Sequence, residues 1–159
     1  MIHQNLSAGE ICTREVVFTD PGMRLDEAAR LMRTQHVGSL VVVEQRSPAE
    51  RIVVGMLTDR DIATNVVAAG LDPQACYVGE IMSPDVTTAR EGDAVLDLLA
   101  LMRQKRVRRV PITGARGELI GLVALDDVLE VVARQQQALA EAVGAARRHE
   151  ALELPPGRA

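Results

Sequence analysis

Apolar residues recur along this chain in the same order twice. Leu25, Ala28, Ala29 and Met32 fall at i, i+3, i+4 and i+7, and so do Val95, Leu98, Leu99 and Met102. That spacing puts each set on one face of an amphipathic helix. A β-branched run follows each helix, at 37–43 and again at 107–112. A polar turn and a second run come next, at 52–57 and at 119–123. Each second run leads into another helix. The first starts near Asp59, carries Ile62, Ala63, Val66 and Val67 on one face, and ends at Gly70 with Asp72-Pro73 just beyond. The second starts near Asp126 and continues past Ala142.

This is an internal repeat. Residues 11–43 align without a gap on 81–113 at a constant offset of 70, so that Val16 meets Val86 and Gly22 meets Gly92. Beyond the first turn the offset drops to 66 and Gly55 meets Gly121. The four extra residues fall within Arg46-Ser47-Pro48-Ala49-Glu50, which reads as an exposed hairpin insertion. Each unit therefore reads strand, helix, strand, strand, helix. A three-stranded sheet with one covered face buries little alone, and two such units packed face to face can share a core. The fold class is α/β, of the α+β kind. The organisation is a first repeat at 6–70, a linker at 71–80, a second repeat at 81–133, a helical extension at 134–148 and a disordered tail at 149–159.

Composition narrows the function. Aromatics are only 1%, so the core is aliphatic, and the stacking platforms of single-strand nucleic-acid binders are missing. The net charge of −4 also argues against a nucleic-acid partner. No apolar run approaches the roughly 20 residues that span a bilayer. Met1-Ile2-His3-Gln4-Asn5 has no basic and apolar leader pattern, so a soluble protein of the cytoplasm is expected. His3, His36 and His149 are scattered, and none accompanies a nucleophile. The expectation is no catalysis. Cys12 and Cys76 match no metal or redox spacing, and Asp59-Arg60-Asp61 lacks a second acidic cluster. No metal is expected, although folding could still bring Cys12, Cys76 and His36 together around zinc.

The residues carry a resemblance. Gly55-Met56-Leu57-Thr58-Asp59-Arg60-Asp61-Ile62, Ile81-Met82-Ser83-Pro84-Asp85-Val86 and Val107-Arg108-Arg109-Val110-Pro111-Ile112, set within the repeat, resemble a tandem pair of CBS domains, the Bateman module. With Ala68-Ala69-Gly70-Leu71-Asp72-Pro73, the chain is similar to small stand-alone bacterial CBS proteins of the hypoxic response type. The resemblance covers about residues 6–133. It implies a pseudo-twofold sandwich of β-α-β-β-α repeats with two clefts between them, which take adenine nucleotides such as AMP, ADP or ATP. It also implies pairing into flat homodimers.

In the family pattern, a Thr or Ser three residues before an Asp ends the last strand and opens the last helix. The carboxylate suits a ribose cis-diol, since it accepts two hydrogen bonds. The hydroxyl and the free helical N–H groups suit phosphate. Thr58 and Asp61 match this pattern, while the second repeat keeps Asp127 and has Ala124 at the hydroxyl position. A basic residue before the middle strand reaches the phosphates. Arg108 and Arg109 supply it in the second repeat, where the first has Gly38 and Ser39. Val16 and Val86 would line the adenine slots. The first cleft is thus expected to hold the hydroxyl and acid without the arginines, and the second the acid and arginines without the hydroxyl. Simpler roles compete. Carboxylates in first helical turns stabilise the helix dipole by about 0.3–1 kcal/mol without a ligand. Thr58 can be a plain cap. Arg103, Lys105, Arg106, Arg108 and Arg109 can form a solvated face, with Arg109 better placed for a cleft by strand alternation.

Two functions follow. One is a non-catalytic regulatory sensor that binds an adenine nucleotide and passes its state to a downstream protein. The other is a constitutive dimeric interaction or stress protein whose clefts stay empty. The terminal helix bears on both. Val128, Val132, Gln135, Leu139, Ala142 and Ala146 are spaced 4, 3, 4, 3 and 4 apart, close to a heptad seam. Beyond about Gln135 the helix outruns its own repeat, so Leu139 and Val143 would face water unless another helix covers them.

Overall fold

A computed structural model describes residues 6–153. Residues 1–5, where no leader is expected, and residues 154–159 of the expected tail lie outside them. The first repeat runs α1 (Ala8–Ile11), β1 (Phe18–Thr19), α2 (Leu25–Gln35), β2 (Ser39–Ser47), β3 (Glu50–Thr58) and α3 (Asp59–Ile62), the last continued by a π-helical turn (Ala63–Val67). The second runs α4 (Val78–Ile81), β4 (Ala89–Arg90), α5 (Val95–Lys105), β5 (Arg109–Thr113), β6 (Leu119–Ala124) and α6 (Leu125–Glu153). Each repeat forms a three-stranded sheet, β1-β2-β3 and β4-β5-β6. In both, the first pair is parallel and the second antiparallel. Among the described residues no helix is long and apolar enough to cross a membrane.

The expected helical stripes are the buried ones. Leu25, Ala28 and Met32 are buried on α2, as are Leu98 and Met102 on α5. Both helices stop in the same way. His36 and Arg106 take the left-handed conformation, at φ 54° and 57°, and the next residue donates back to a methionine carbonyl: Val37 to Met32 and Val107 to Met102, each at 3.0 Å. The insertion lengthens the β2–β3 ribbon, with Pro48-Ala49 left as its tip. Its far end reaches the other repeat, where Val53 N–H donates to Gly117 O at 3.1 Å and Arg116 pairs with Glu50 at 3.4 Å.

Two short helices, α1 and α4, were not legible as helices in the sequence, and they cross over. Ala8, on α1, is buried in the cluster formed by Leu98, Met102, Val110, Ile112 and Val123 of the second repeat. Val78, on α4, is buried with Leu25, Leu40, Leu57 and Val66 of the first. Backbone bonds fix the exchange. Thr13 and Leu122 exchange two hydrogen bonds at 2.9 and 3.0 Å, and their pseudo-equivalents Ser83 and Met56 exchange two at 2.9 and 3.0 Å. The strand beside each crossing segment carries a glycine at the point of contact. A Cβ on Gly121 would lie 2.6 Å from Cys12 Sγ and 3.0 Å from Thr13 O, and one on Gly55 would lie 2.3 Å from Met82 Sδ. The buried apolar residues thus form one cluster per repeat instead of a single shared core. The other face of each central strand is covered as well, with Val41 and Val43 at 1% and 2% exposure, where the repeats meet along β3 and β6. The last residues of the expected linker, 78–80, are therefore helix α4 and part of the first repeat's packing.

One apolar face is corrected. The sequence puts Val66 and Val67 on one face, but neighbours in a helical turn point roughly 100° apart and only the first of them meets the core. Val66 is fully buried and Val67 is 69% exposed. Val66→Ala should cost about 2 kcal/mol, whereas Val67→Ala should change stability by less than about 0.5 kcal/mol, as read by urea denaturation. At the other end of the chain, α6 continues through Glu153, past the point where the tail was expected to fray.

A bidentate pair holds the start of α2. Arg24 Nε and Nη2 donate to the two carboxylate oxygens of Asp26 at 2.9 and 2.8 Å, and these hydrogen bonds hold the Asp26 carboxyl below its ordinary pKa. A carboxyl with a depressed folded-state pKa contributes stability above its unfolded pKa and loses it as pH falls through the folded value. Asp26→Asn should therefore lower stability at neutral pH and leave a shallower loss of stability below about pH 4, measured as melting temperature against pH.

Candidate functional site

The junction of β3 and α3 is a closed capping box. Thr58 N–H and Oγ1 both donate to Asp61 Oδ2, at 2.8 and 2.7 Å, and Asp61 N–H donates to Thr58 Oγ1 at 3.2 Å. The extended backbone at Thr58 turns its own N–H toward the helix start, so one side chain satisfies two donors. The second repeat keeps half of this device: Asp127 Oδ2 accepts from Ala124 N–H at 2.8 Å, and no hydroxyl completes it. Asp61→Ala should lower stability by about 1–2 kcal/mol without any ligand, through loss of this cap, and chemical denaturation of the unliganded protein measures it.

A cavity of about 560 Å³ opens beside the Thr58 cap. Met56, Thr58, Asp59 and Arg60 form one wall. Ser83, Asp85, Val86 and Thr87 form the second, brought there by the Ser83–Met56 pairing. The third wall is the entry to β5, with Arg106, Arg108 and Arg109. These arginine side chains are exposed, and Arg108 approaches Asp126 at only 3.9 Å. The wall is thus rich in cations that no tight ion pair satisfies among the described residues. Met56, Val86 and Val107 give the same cavity an apolar part. The arrangement suits a flat apolar group bearing an anion.

A second cavity, of about 220 Å³, lies at the pseudo-equivalent place. Its walls are Leu122, Ala124 and Asp127, then Thr13, Glu15, Val16 and Val17, then Val37, Gly38 and Ser39. Ser83, Asp85, Val86 and 107–109 of the first cleft map onto Thr13, Glu15, Val16 and 37–39 at the offset of 70, and Met56 and Thr58 map onto Leu122 and Ala124 at 66. Arg109 lines both cavities.

The sequence-derived residues are distributed differently from expectation. Thr58, Val86, Arg108 and Arg109 meet in the larger cleft, and Val16, Asp127 and Arg109 in the smaller. The expected separation of the hydroxyl from the arginines is corrected. Each cleft is built from the end of one repeat and the middle strand of the other, so the features of the two repeats combine. Asp61 lines neither cavity, because its carboxylate turns back onto the cap. Arg103 and Lys105 are exposed and line neither. Arg60, Ser83 and Asp85 also line the larger cleft, although they are not candidates from the sequence. Their signal was the repeat offset itself, once the crossing of the repeats is known. Among the described residues no group of three His, Cys, Asp or Glu side chains could hold a metal ion. Cys12 packs on the second repeat's cluster and Cys76 on the first, and His36 caps α2, so the three are not gathered.

Comparison with known proteins agrees with this architecture. The CBS domain family model matches twice, at residues 8–68 and 78–134. Uncharacterized protein MK0525 of Methanopyrus kandleri is 34% identical over 128 residues, and the match spans 80% of this chain and 63% of that protein's length. CBS domain-containing protein YhcV of Bacillus subtilis is 38% identical over 122 residues, 77% of this chain and 82% of YhcV. Among solved structures, Hypoxic Response Protein I with two coordinated zinc ions superposes with a TM-score of 0.67 at 30% identity, covering 78% of this chain and 97% of that one; the curated Hypoxic response protein 1 is from Mycobacterium tuberculosis. The CBS domain pair of MJ0100, in complex with 5'-methylthioadenosine and S-adenosyl-L-methionine, shares the fold with a TM-score of 0.69 at 21% identity, over 81% of this chain and 97% of that one. Two matched domains, each with its own three-stranded sheet and helices, make this chain a member of the CBS-domain family.

Proposed function

We propose that the larger cleft binds an adenine nucleotide of the AMP, ADP or ATP type, and that the protein is a non-catalytic regulatory sensor. One observation carries the reading: Thr58 of the first repeat and Arg108 and Arg109 of the second line a single cavity together with apolar Met56, Val86 and Val107. A base and ribose fit the apolar part, and phosphates fit the arginines. The cavity of about 560 Å³ falls within the range of roughly 300–1,000 Å³ usual for small-molecule sites. A ligand that touches both repeats shifts their packing by its differential affinity for the two arrangements, and a downstream protein can read that shift. A ligand at 100 times its Kd stabilises the native state by about 2.7 kcal/mol. For a chain of this size that is a rise of about 5–10 °C in melting temperature. Thermal melts with AMP, ADP and ATP test it, and no rise with any of them removes the reading.

The alternative, a constitutive interaction protein with empty clefts, is favoured by the cap. The Asp61 carboxylate is already engaged by Thr58, and Ala124 offers no hydroxyl. The same melts separate the two. Both readings include a homodimer supported by α6. Val128 is buried at the helix start, but Leu129, Val132, Leu139 and Val143 are exposed farther along. Light scattering should give twice the 17.2 kDa chain mass, and truncation after Arg134 should weaken the dimer. A monomer at micromolar concentration would contradict it.

A further inference from the structure

We propose that α6 pairs antiparallel with α6 of a second copy of this chain through an exposed apolar stripe, an inference that rests on reading the protein as a homodimer and fixes how its terminal helices meet. The stripe is not the seam that the sequence spacing suggests. Val128, the first residue of that expected seam, is only 2% exposed and belongs to the second repeat's own cluster. Its burial sets the roll of the helix and leaves the neighbouring face open. That face carries Leu129, Val132, Gln136, Leu139, Val143 and Ala146, at spacings of 3, 4, 3, 4 and 3. This is an unbroken heptad pattern. All six residues are exposed, Leu129 at 59% and Leu139 at 56%. Four of the eight exposed large apolar side chains among the described residues lie on it, so a lone helix would leave a concentrated apolar stripe in water.

A second copy is the occupant that fits, because the stripe complements itself when reversed. Antiparallel pairing sets Leu129 against the partner's Ala146, Val132 against the partner's Val143 and Gln136 against the partner's Leu139. Large residues then meet small ones, and the seam has an even depth. Parallel pairing would set leucine on leucine at one end and alanine on alanine at the other. Charge selects the same orientation. Residues 126–130 carry Asp126, Asp127 and Glu130 with no cation, and residues 142–149 carry Arg147 and Arg148 with no acid. Parallel pairing puts like ends together, whereas antiparallel pairing joins opposite ends and opposes the helix dipoles. Arg147 and Asp126 lie three heptads apart at the same flanking position beside the stripe, so the antiparallel pair brings Arg147 to the partner's Asp126. Both can meet there. The Asp126 side chain is 74% exposed and has only Arg108 nearby, at 3.9 Å, and Arg147 is exposed with no ion pair among the described residues.

Disulfide trapping in the full chain tests the orientation. A chain that carries both Val132→Cys and Val143→Cys cannot close the bridge on itself. The two positions lie about 16 Å apart along one helix, and a disulfide needs Cα atoms within about 7 Å. Oxidation followed by peptide mass analysis, which separates these links from any at Cys12 or Cys76, should join residue 132 of one chain to residue 143 of the other. Links of 132 to 132 and of 143 to 143 would mean parallel pairing and would overturn the inference. So would a dimer by light scattering that forms no link at either position, and in both cases the homodimer reading stands. A monomer by light scattering overturns both. Gln136→Leu gives a second readout on an exposed position. It replaces the one polar residue of the stripe opposite the partner's Leu139, so it should tighten the dimer roughly tenfold by sedimentation equilibrium. An unchanged dissociation constant would contradict the stripe as the contact.

Discussion

Val78→Asp should unfold the first repeat, although residue 78 lies beyond the last helix of that repeat in the sequence. Val78 is fully buried and packs with Leu25, Leu40, Leu57 and Val66. An isolated carboxylate in such an apolar cluster costs on the order of 4–5 kcal/mol, a large part of the 5–15 kcal/mol that holds a typical domain. Val78→Ala removes only methyl groups and should cost about 2 kcal/mol. The same aspartate at Val67, which is 69% exposed, should be nearly neutral. Urea denaturation followed by circular dichroism ranks the three. Equal midpoints for Val78→Asp and Val67→Asp would contradict the crossing of α4 onto the first repeat.

The second large effect is on binding. Arg109→Ala should weaken ATP binding roughly 10- to 100-fold, because a charge-assisted hydrogen bond contributes about 1.5–3 kcal/mol. The side chain is exposed and makes no ion pair among the described residues, so stability should change by less than about 0.5 kcal/mol. Lys105→Ala, a neighbouring charge that lines neither cleft, should leave affinity within about twofold. Calorimetry at two salt concentrations gives a further check. The contrast between Arg109 and Lys105 should persist, while long-range attraction common to both fades as salt rises. Equal losses at the two positions would mean that the basic cluster acts only through its overall field.

The helices α2 and α5 and the paired strands could be read from the sequence because their signal is local. One buried face repeats at helical spacing, and β-branched runs follow it. The repeat offset gives the same signal a second time. The short helices α1 and α4 carry too few residues for a periodic signal, with four residues each. Their burial depends on the other repeat, a relation between distant segments that no local window contains. The cleft suffered from the same blindness. Thr58, Val86, Arg108 and Arg109 were each visible as candidates, but the sequence grouped them by repeat. The fold groups them across repeats, because 83–87 crosses to pair beside Met56. Asp61 shows the opposite limit. Its spacing from Thr58 serves a cap and a ribose contact equally, and in the unliganded fold the cap takes it. The π-helical turn at Ala63–Val67 was likewise invisible, since a single widened turn leaves no mark on the apolar pattern.

The central claim is that the two repeats together form one nucleotide cleft. A crystal structure grown with ATP tests it most directly. The account predicts the base against Val86, the ribose near Thr58 and the phosphates directed to Arg108 and Arg109, with ligand touching both repeats. An empty larger cleft in crystals soaked well above the Kd measured in solution, or ATP bound at a place that does not include Arg109, would contradict it.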